Sequence, residues 1–246
     1  MFIPFRYFIN LQKATVGLVM LAAMVYWENY SLSCWVYLSL HGMYGVCWLF
    51  KDQVMPDPSF NELVSLSSFF TIFGCVLIPY SLIPVAVASR WAEDAQEISA
   101  ERCFVAVTMF ITGLVLMMIA DAQKYFVLKV KKGLITDGMM KYSRNPNYVG
   151  EILLYCAFNV VARIPAVWYF YFCFDFSIVF VHRMLWKDYM LSRKDGWEEY
   201  RQQSWILLPK IYSNAIISVV IYALIAAGSV WTYNNGGIVE TINLLK

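Results

Sequence analysis

Long apolar runs separated by short polar segments dominate the chain. Most of them approach the roughly 20 residues that an α-helix needs to cross a bilayer. They are continuous, unlike the alternating pattern of a transmembrane β-barrel. The pattern therefore predicts an all-α fold, a polytopic bundle of transmembrane helices that forms one integral membrane domain over 1–246. The runs cover about 14–27, 31–50, 63–80, 103–120, 149–181 and 214–233.

The run 149–181 is long enough to cross the membrane twice, and an Arg-Ile-Pro sequence at 163–165 interrupts it. A single crossing would separate the basic segments 121–148 and 182–210, whereas a helical hairpin brings them to the same side. With the hairpin, 15 of the 19 Lys and Arg lie on the side of the N-terminus. Cytoplasmic or matrix segments are enriched in these residues. We therefore predict the hairpin, and about seven spans in all.

Composition excludes several classes of protein. Hydrophobic residues make up 60% of the chain and charged residues 15%, with a mean hydropathy of +0.56. Soluble domains are less apolar, and disordered chains have few aromatics. A net charge of +2 offers no basic surface for nucleic acid. Two His are too few for a membrane di-iron enzyme, and the six Cys form no CxxC pair. We predict no metal site and no nucleic-acid partner.

Two carboxylates fall within apolar sequence. On a helix, Glu151 shares one face with Tyr155, Phe158 and Asn159. Asp175 lies inside the returning arm of the predicted hairpin. A charged side chain in hydrocarbon is costly unless it is paired, so such residues are candidates for function. The alternative for both residues is a buried pair that ties helices together.

The Asn-Pro-Asn sequence at 145–147 resists helix, because a residue that precedes Pro is pushed towards extended backbone. We expect Asn147 to cap a helix that starts at Tyr148. Gly150 would permit close approach of a helix or a ligand. A helix N-terminus beside Arg144 also suits a phosphate group. A turn, a cap and a helix start explain much of the same pattern without a ligand.

The segment YSRNPNYVGEILLY at 142–155 resembles a membrane superfamily of steroid 5α-reductases, sterol reductases and isoprenylcysteine carboxyl methyltransferases. DAQK at 121–124, GWEEY at 196–200 and YGVCWLFKD at 44–52 are similar to the uncharacterised DUF1295 branch of that superfamily. The resemblance is strongest over 118–212, which we interpret as a cofactor-binding core within the single domain.

The Asn-Tyr-x-Gly-Glu form resembles the reductases, since the methyltransferases usually have Arg-His-Pro in the motif. The resemblance implies NADPH at the cytoplasmic face and hydride transfer to a conjugated double bond of a steroid- or isoprenoid-like lipid. It implies Tyr148 as proton donor, Tyr142 as the next choice, and Glu151 near the nicotinamide. The implied cofactor-binding residues are Asp121, Lys124, Lys129, Arg144, Asn147, Glu151, Arg183, Asp188, Tyr200 and Arg201.

Three hypotheses for the function stay open. The first is the lipid reductase, whose partners are membrane lipids and a lipid substrate. The second is a methyltransferase that uses S-adenosylmethionine on a lipid or an isoprenylcysteine. The third is a non-catalytic subunit of a larger membrane complex, without a cofactor and with other membrane subunits as partners. We expect the endoplasmic reticulum membrane as the location, with the mitochondrial inner membrane as the alternative.

Overall fold

The computed structural model describes residues 2–72, 78–89, 97–164, 176, 179–212 and 214–246. The predicted all-α class is confirmed. Two short strands, β1 (Phe2–Pro4) and β2 (Leu63–Ser65), pair antiparallel, with Phe2 opposite Ser65. The α-helices are α1 (Phe5–Tyr26), α2 (Leu32–Val54), α3 (Leu66–Ile72), α4 (Ile78–Ala88), α5 (Ala100–Val130), α6 (Pro146–Ala162), α7 (Val181–Leu191), α8 (Trp197–Gln203), α9 (Ala215–Asn234) and α10 (Ile238–Leu244).

Helix α1 begins nine residues before the predicted start of the first span at residue 14. Its first half contains polar residues that a hydropathy pattern excludes from a span. Three of them, Arg6, Asn10 and Lys13, have a polar partner on a neighbouring helix. Arg6 donates to Asp52 (2.8 Å), Asn10 donates to the same carboxylate (2.7 Å), and Lys13 donates to the hydroxyl of Tyr80 (3.0 Å). These contacts allow the helix to extend back to Phe5.

Helices α5 and α6 pack antiparallel through two glycines. A Cβ on Gly150 would lie 2.5 Å from the carbonyl oxygen of Gly113 and 2.6 Å from the nitrogen of Met117. A Cβ on Gly113 would lie 2.6 Å from the carbonyl oxygen of Gly150. Such short distances require glycine on both helices. Of the two expectations for Gly150, the structure therefore supports close approach of a helix.

The predicted start of α6 is wrong by two residues. The helix begins at Pro146, with Asn145 in the N-cap position, and Asn147 lies inside the first turn. Proline suits the first helical position because its missing N–H would have no partner within the helix. The Asn145 side chain makes no capping bond and donates instead to the carbonyl oxygen of Ile206 (2.7 Å).

The two basic segments meet at one end of the bundle, as the predicted hairpin requires. Tyr200 donates to the carbonyl oxygen of Met140 (2.9 Å), and Lys194 donates to that of Gly133 (3.0 Å). Helix α6 ends at Ala162 and the chain turns through Arg163, whose φ of 52° is left-handed. The rest of the predicted turn, from residue 165, and Asp175 in the returning arm lie outside the described residues.

In the described part of the chain, three helices are long and apolar enough to cross a membrane: α1, α5 and α9. The chain is therefore an integral membrane protein, while the count of seven spans stays a prediction. Helix α5 has 31 residues and is about 46 Å long at 1.5 Å per residue. Because a bilayer core is about 30 Å thick, one end of α5 extends into the polar region. Asp121, Lys124 and Lys129 lie towards its C-terminal end.

The glycine contact between α5 and α6 generates a test. We expect Gly150→Ala to lower the thermal unfolding midpoint in detergent, because overpacking of a close contact typically costs about 1–3 kcal/mol. The control is Gly228→Ala in α9, where an added Cβ would meet no atom within 4 Å. Alanine there favours the helix, so its midpoint should stay the same or rise. Equal midpoints for the two variants would contradict the packing assigned to Gly150.

Candidate functional site

A cavity of about 290 Å³ lies where the ends of α2 and α5 meet the segment that follows α2. Its volume is at the lower end of the range for small-molecule sites. We call it the charged cavity, because five charged side chains line it. Three of the five, on α5, are predicted from the sequence, and the other two come from α2 and the following turn. The five are Lys51, Asp57, Asp121, Lys124 and Lys129.

Ion pairs organise the walls of the charged cavity. Lys51 pairs closely with Asp121, and the Nζ of Lys124 lies 3.5 Å from the Oδ2 of Asp57. Burial opposes ionisation of Asp57, but the Lys124 ammonium and hydrogen bonds from Ser59 outweigh it and lower the pKa of that carboxyl. Three ammonium groups face two carboxylates, so the cavity has a net positive charge suited to phosphates.

Glu151 lies on α6, within electrostatic range of both the charged cavity and the interior of the bundle. Its carboxylate interacts electrostatically with Lys51 and Asp121 on the cavity wall, and with Lys13 and Arg183. The hydroxyl of Tyr155, one turn later on α6, lies 3.5 Å from its Oε2. The carboxylate is therefore placed to influence both the cavity and the side chains deeper in the bundle.

A second group of polar side chains, which we call the interior network, is buried among α1, α2 and α4. His41 is at its centre. The Nδ1 of His41 lies 2.9 Å from the hydroxyl of Tyr37, and its Nε2 lies 2.6 Å from the hydroxyl of Tyr80. Lys13 donates to the same Tyr80 hydroxyl (3.0 Å). The four side chains form a continuous chain of groups that can donate and accept protons.

Aromatic rings enclose the interior network. The Lys13 Nζ lies 4.2 Å from the ring centre of Tyr80 and 4.6 Å from that of Tyr44. Such cation–π contacts stabilise a desolvated ammonium group by about 2 kcal/mol or more. The ring of Phe158 stacks on His41 at 4.2 Å. The predicted shared face of α6 is thus confirmed, since Glu151 and Phe158 both point towards the interior.

The interior network is not among the predicted sites, although the sequence contains a signal for it. An ionisable residue inside a membrane helix is a functional candidate, and this rule applies to Lys13 and His41 as much as to Glu151. A first span that begins at residue 14 leaves Lys13 outside the membrane, whereas α1 begins at Phe5. His41 and Tyr37 are four residues apart, so they lie on one face of α2. Tyr80 cannot be assigned to the network without the tertiary structure.

Arg144 holds the two basic segments together. Its Nε donates to the Oδ1 of Asp188 (2.9 Å) and its Nη2 to the Oδ2 (2.7 Å), which is the bidentate geometry of a strong ion pair. Its Nη1 donates to the carbonyl oxygen of Ser204, and Trp197 lies against the guanidinium at 5.4 Å. The side chain is buried, so Arg144 and Asp188 serve as a clamp between segments.

Lys187 reinforces this clamp. Its ammonium donates to the carbonyl oxygen of Arg144 (2.7 Å) and to the Oδ1 of Asn145 (2.9 Å). Burial and then the nearby Lys124 ammonium lower the pKa of Lys187 to about 8, although Asp121 and Asp188 oppose the shift. Helix α7 is therefore held both to the start of α6 and close to the charged cavity.

The other predicted residues are dispersed around this end of the bundle. Tyr148 stacks on Phe180 with ring centres 5.0 Å apart. Tyr142 is 49% exposed, and the ammonium group of Lys141 lies over its ring. Arg183 and Arg201 are exposed, Asn147 is half-buried, and burial raises the pKa of Tyr200.

The structure thus brings the predicted residues Asp121, Lys124 and Lys129 together at the charged cavity, with Glu151 near it. It gathers Arg144, Asp188 and Tyr200 around the clamp.

Comparison with known protein families identifies one match. The family model described as "Protein of unknown function (DUF1295)" matches residues 11–203. The matched range contains the charged cavity, the interior network and the Arg144–Asp188 pair. It also contains segment 142–155, so the family resemblance expected from that segment is confirmed. The chain belongs to the DUF1295 family, the steroid 5α-reductase-like branch of the superfamily that this segment resembles.

Proposed function

We propose that the protein is a membrane-embedded, NADPH-dependent reductase of a conjugated double bond in a steroid- or isoprenoid-like lipid. The observation that carries the proposal is the position of Glu151. Its charge acts both on Lys51 and Asp121, which line a cavity suited to phosphates, and on Lys13 in a buried chain of proton-donating groups. A reductase of this kind needs both, because it adds a hydride and a proton across the double bond.

The charged cavity offers suitable groups for part of a dinucleotide. Lys51, Lys124 and Lys129 would face the phosphates, and the carboxylate of Asp121 would accept hydrogen bonds from ribose hydroxyls. All three cations are lysines, which bind phosphate as point charges and lack the bidentate fork of arginine. The bound NADPH would supply the hydride, and the protein would orient it and supply the proton.

Tyr80 is the proton donor that the contacts favour. Its hydroxyl proton would pass to the substrate, His41 at 2.6 Å would replace it, and the Lys13 ammonium at 3.0 Å would stabilise the phenolate in between. Glu151 would stabilise the positive charge of Lys13 from the other side. Tyr148 is the second candidate, because it lies on α6 within one turn of Glu151.

The position of the interior network also supports a lipid as the substrate. His41 is 1% exposed and Tyr80 is 5% exposed, and both lie among the helices of a membrane bundle. A substrate that reaches this depth must be largely apolar, with a polar group that the Tyr80 hydroxyl can contact. We propose the endoplasmic reticulum membrane as the location and retain the mitochondrial inner membrane as the alternative.

Helix α9 favours a second candidate function, a subunit of a larger membrane complex. Its 20 residues are apolar, and Ser218 is its one buried residue among those the structure describes. A helix exposed along nearly its whole length is available for contact with another membrane protein. A methyltransferase that uses S-adenosylmethionine stays a further alternative, since the superfamily includes such enzymes. Ligand binding distinguishes the three.

The first test is thermal unfolding of the purified full chain in detergent with NADPH, with S-adenosylmethionine, or with neither. We expect a rise in the midpoint with NADPH, because a ligand at about 100 times its dissociation constant stabilises a protein by roughly 2.7 kcal/mol. Glu151→Gln should abolish that rise without unfolding the protein. The matched control is Glu240→Gln on the exposed side of α10, which should keep the full rise.

The outcomes of this experiment separate the hypotheses. A rise with S-adenosylmethionine alone would replace the reductase by the methyltransferase. The absence of a rise with either ligand would favour the complex subunit. An unchanged NADPH response in Glu151→Gln would mean that this carboxylate is not part of the cofactor site.

The second test concerns the proton donor. With an enone steroid or an enone isoprenoid as substrate, we expect Tyr80→Phe to slow NADPH oxidation by about 10²–10⁴-fold, the usual contribution of a general acid. The NADPH-induced rise in the unfolding midpoint should stay. Tyr148→Phe, which removes the hydroxyl of the other candidate, should have a small effect on the rate. The reverse result would assign the proton transfer to Tyr148.

A further inference from the structure

Helix α7 presents an apolar face to its surroundings. Leu185 and Trp186 are followed one turn later by Tyr189 and Met190, so the four side chains lie together on one side of the helix. They are 58%, 60%, 51% and 43% exposed, respectively. The rings of Trp186 and Tyr189 are in contact, with centres 5.6 Å apart. We call these four side chains the outward face of α7.

The opposite side of α7 is fixed to the protein. Met184 is buried, Asp188 is paired with Arg144, and Lys187 donates to the start of α6. The helix therefore cannot rotate to bury its outward face without breaking an ion pair and two hydrogen bonds of a buried ammonium group. The exposure of Trp186 and Tyr189 is thus a stable property of the fold.

A group of cations adjoins the outward face. The guanidinium of Arg193 lies 4.4 Å from the ring centre of Tyr189 and donates to its hydroxyl. Lys194 donates to the carbonyl oxygen of Gly133 (3.0 Å), which brings the exposed Lys131 and Lys132 to the same place. Asp195 is the acidic residue next in the chain, so the group keeps a positive charge.

We propose that the outward face of α7 and the adjoining cations bind anionic phospholipids at the cytoplasmic surface of the membrane. Trp and Tyr favour the interface between hydrocarbon and headgroups, where Leu185 and Met190 would contact acyl chains. Arg193 and Lys194 would reach the headgroup phosphates, as long basic side chains do at helix ends. The α7 helix begins where the apolar run 149–181 ends, which places it at this depth.

Charge complementarity favours lipid headgroups over a protein partner for this surface. Basic side chains near a membrane are attracted to anionic lipids, each by a free energy that corresponds to roughly fivefold in affinity. Arg193 lies directly against the ring of Tyr189, so a positive charge adjoins the apolar face itself. An amphipathic surface of this kind is typical of helices that lie in the membrane interface.

The proposal is tested on the purified full chain in zwitterionic detergent. The thermal unfolding midpoint is measured while phosphatidylglycerol or phosphatidylcholine is titrated in. We expect phosphatidylglycerol to raise the midpoint in a saturable manner and phosphatidylcholine to have little effect. Removing two cations in Arg193→Ala/Lys194→Ala should raise the half-maximal phosphatidylglycerol concentration by roughly 25-fold, at about fivefold for each cation.

A charge-matched control distinguishes this surface from net charge. The double variant Lys141→Ala/Lys246→Ala removes the same two positive charges from exposed positions elsewhere, and it should respond to phosphatidylglycerol like the unchanged protein. Trp186→Ala should weaken the response, because the ring is part of the apolar contact. Each shift in the unfolding midpoint is measured against the same variant without lipid. A variant that is less stable than the unchanged protein can therefore still be compared with it.

Three results would overturn the proposal. Equal responses to phosphatidylglycerol and phosphatidylcholine would show that the headgroup charge is not recognised. An equal loss of response in both double variants would assign the effect to net charge. The same rise with inorganic phosphate alone would indicate an ion site instead of a lipid surface. None of these readouts involves NADPH, so the proposal stands or fails independently of the reductase.

Discussion

The close contact between Gly113 and Gly150 determines where the functional groups of this protein lie. Because the backbones of α5 and α6 touch at these residues, Asp121, one turn after Met117 on α5, comes within electrostatic range of Glu151, which follows Gly150 on α6. The following turns of α6 then carry Tyr155 and Phe158 against the interior network. A larger residue at either glycine would push the helices apart and move Glu151 away from Asp121 on the wall of the charged cavity. The packing of α5 against α6 therefore also sets the geometry of the site.

The second constraint is the cost of polar groups inside a membrane, which is several kcal/mol for an unpaired one. In α1 this cost is offset at three polar positions, since Arg6 and Asn10 share Asp52 while Lys13 contacts Tyr80 and the surrounding rings. These pairs are specific, whereas apolar contacts tolerate rotation and sliding of one helix against another. The polar residues therefore fix how α1 is oriented against α2 and α4, besides any chemical role that they have.

Sequence patterns predicted those features that depend on periodicity or on chain direction. The meeting of segments 121–148 and 182–210 follows from the hairpin, and the shared face of Glu151 and Phe158 follows from helical spacing. The patterns failed where a tertiary partner decides the outcome. Apolar runs place Lys13 outside the membrane, because nothing in the neighbouring sequence shows that its ammonium group donates to the hydroxyl of Tyr80. For the same reason, the sequence around Arg144 suggests a phosphate ligand. In the structure its guanidinium is paired instead with Asp188, which lies 44 residues later in the chain.

Membership of a fold family does not determine whether a protein catalyses a reaction, so the argument for catalysis must come from the site. A protein that needed only a stable bundle could fill the space around His41 with apolar side chains. Replacing buried ionic groups by well-packed hydrophobic residues is often neutral or stabilising. The interior network instead places four ionisable side chains in contact, and Glu151 interacts electrostatically both with Lys13 of this network and with two charges that line the cavity. These contacts orient α1 against its neighbours, and the proposed proton transfer next to a bound cofactor would use the same groups.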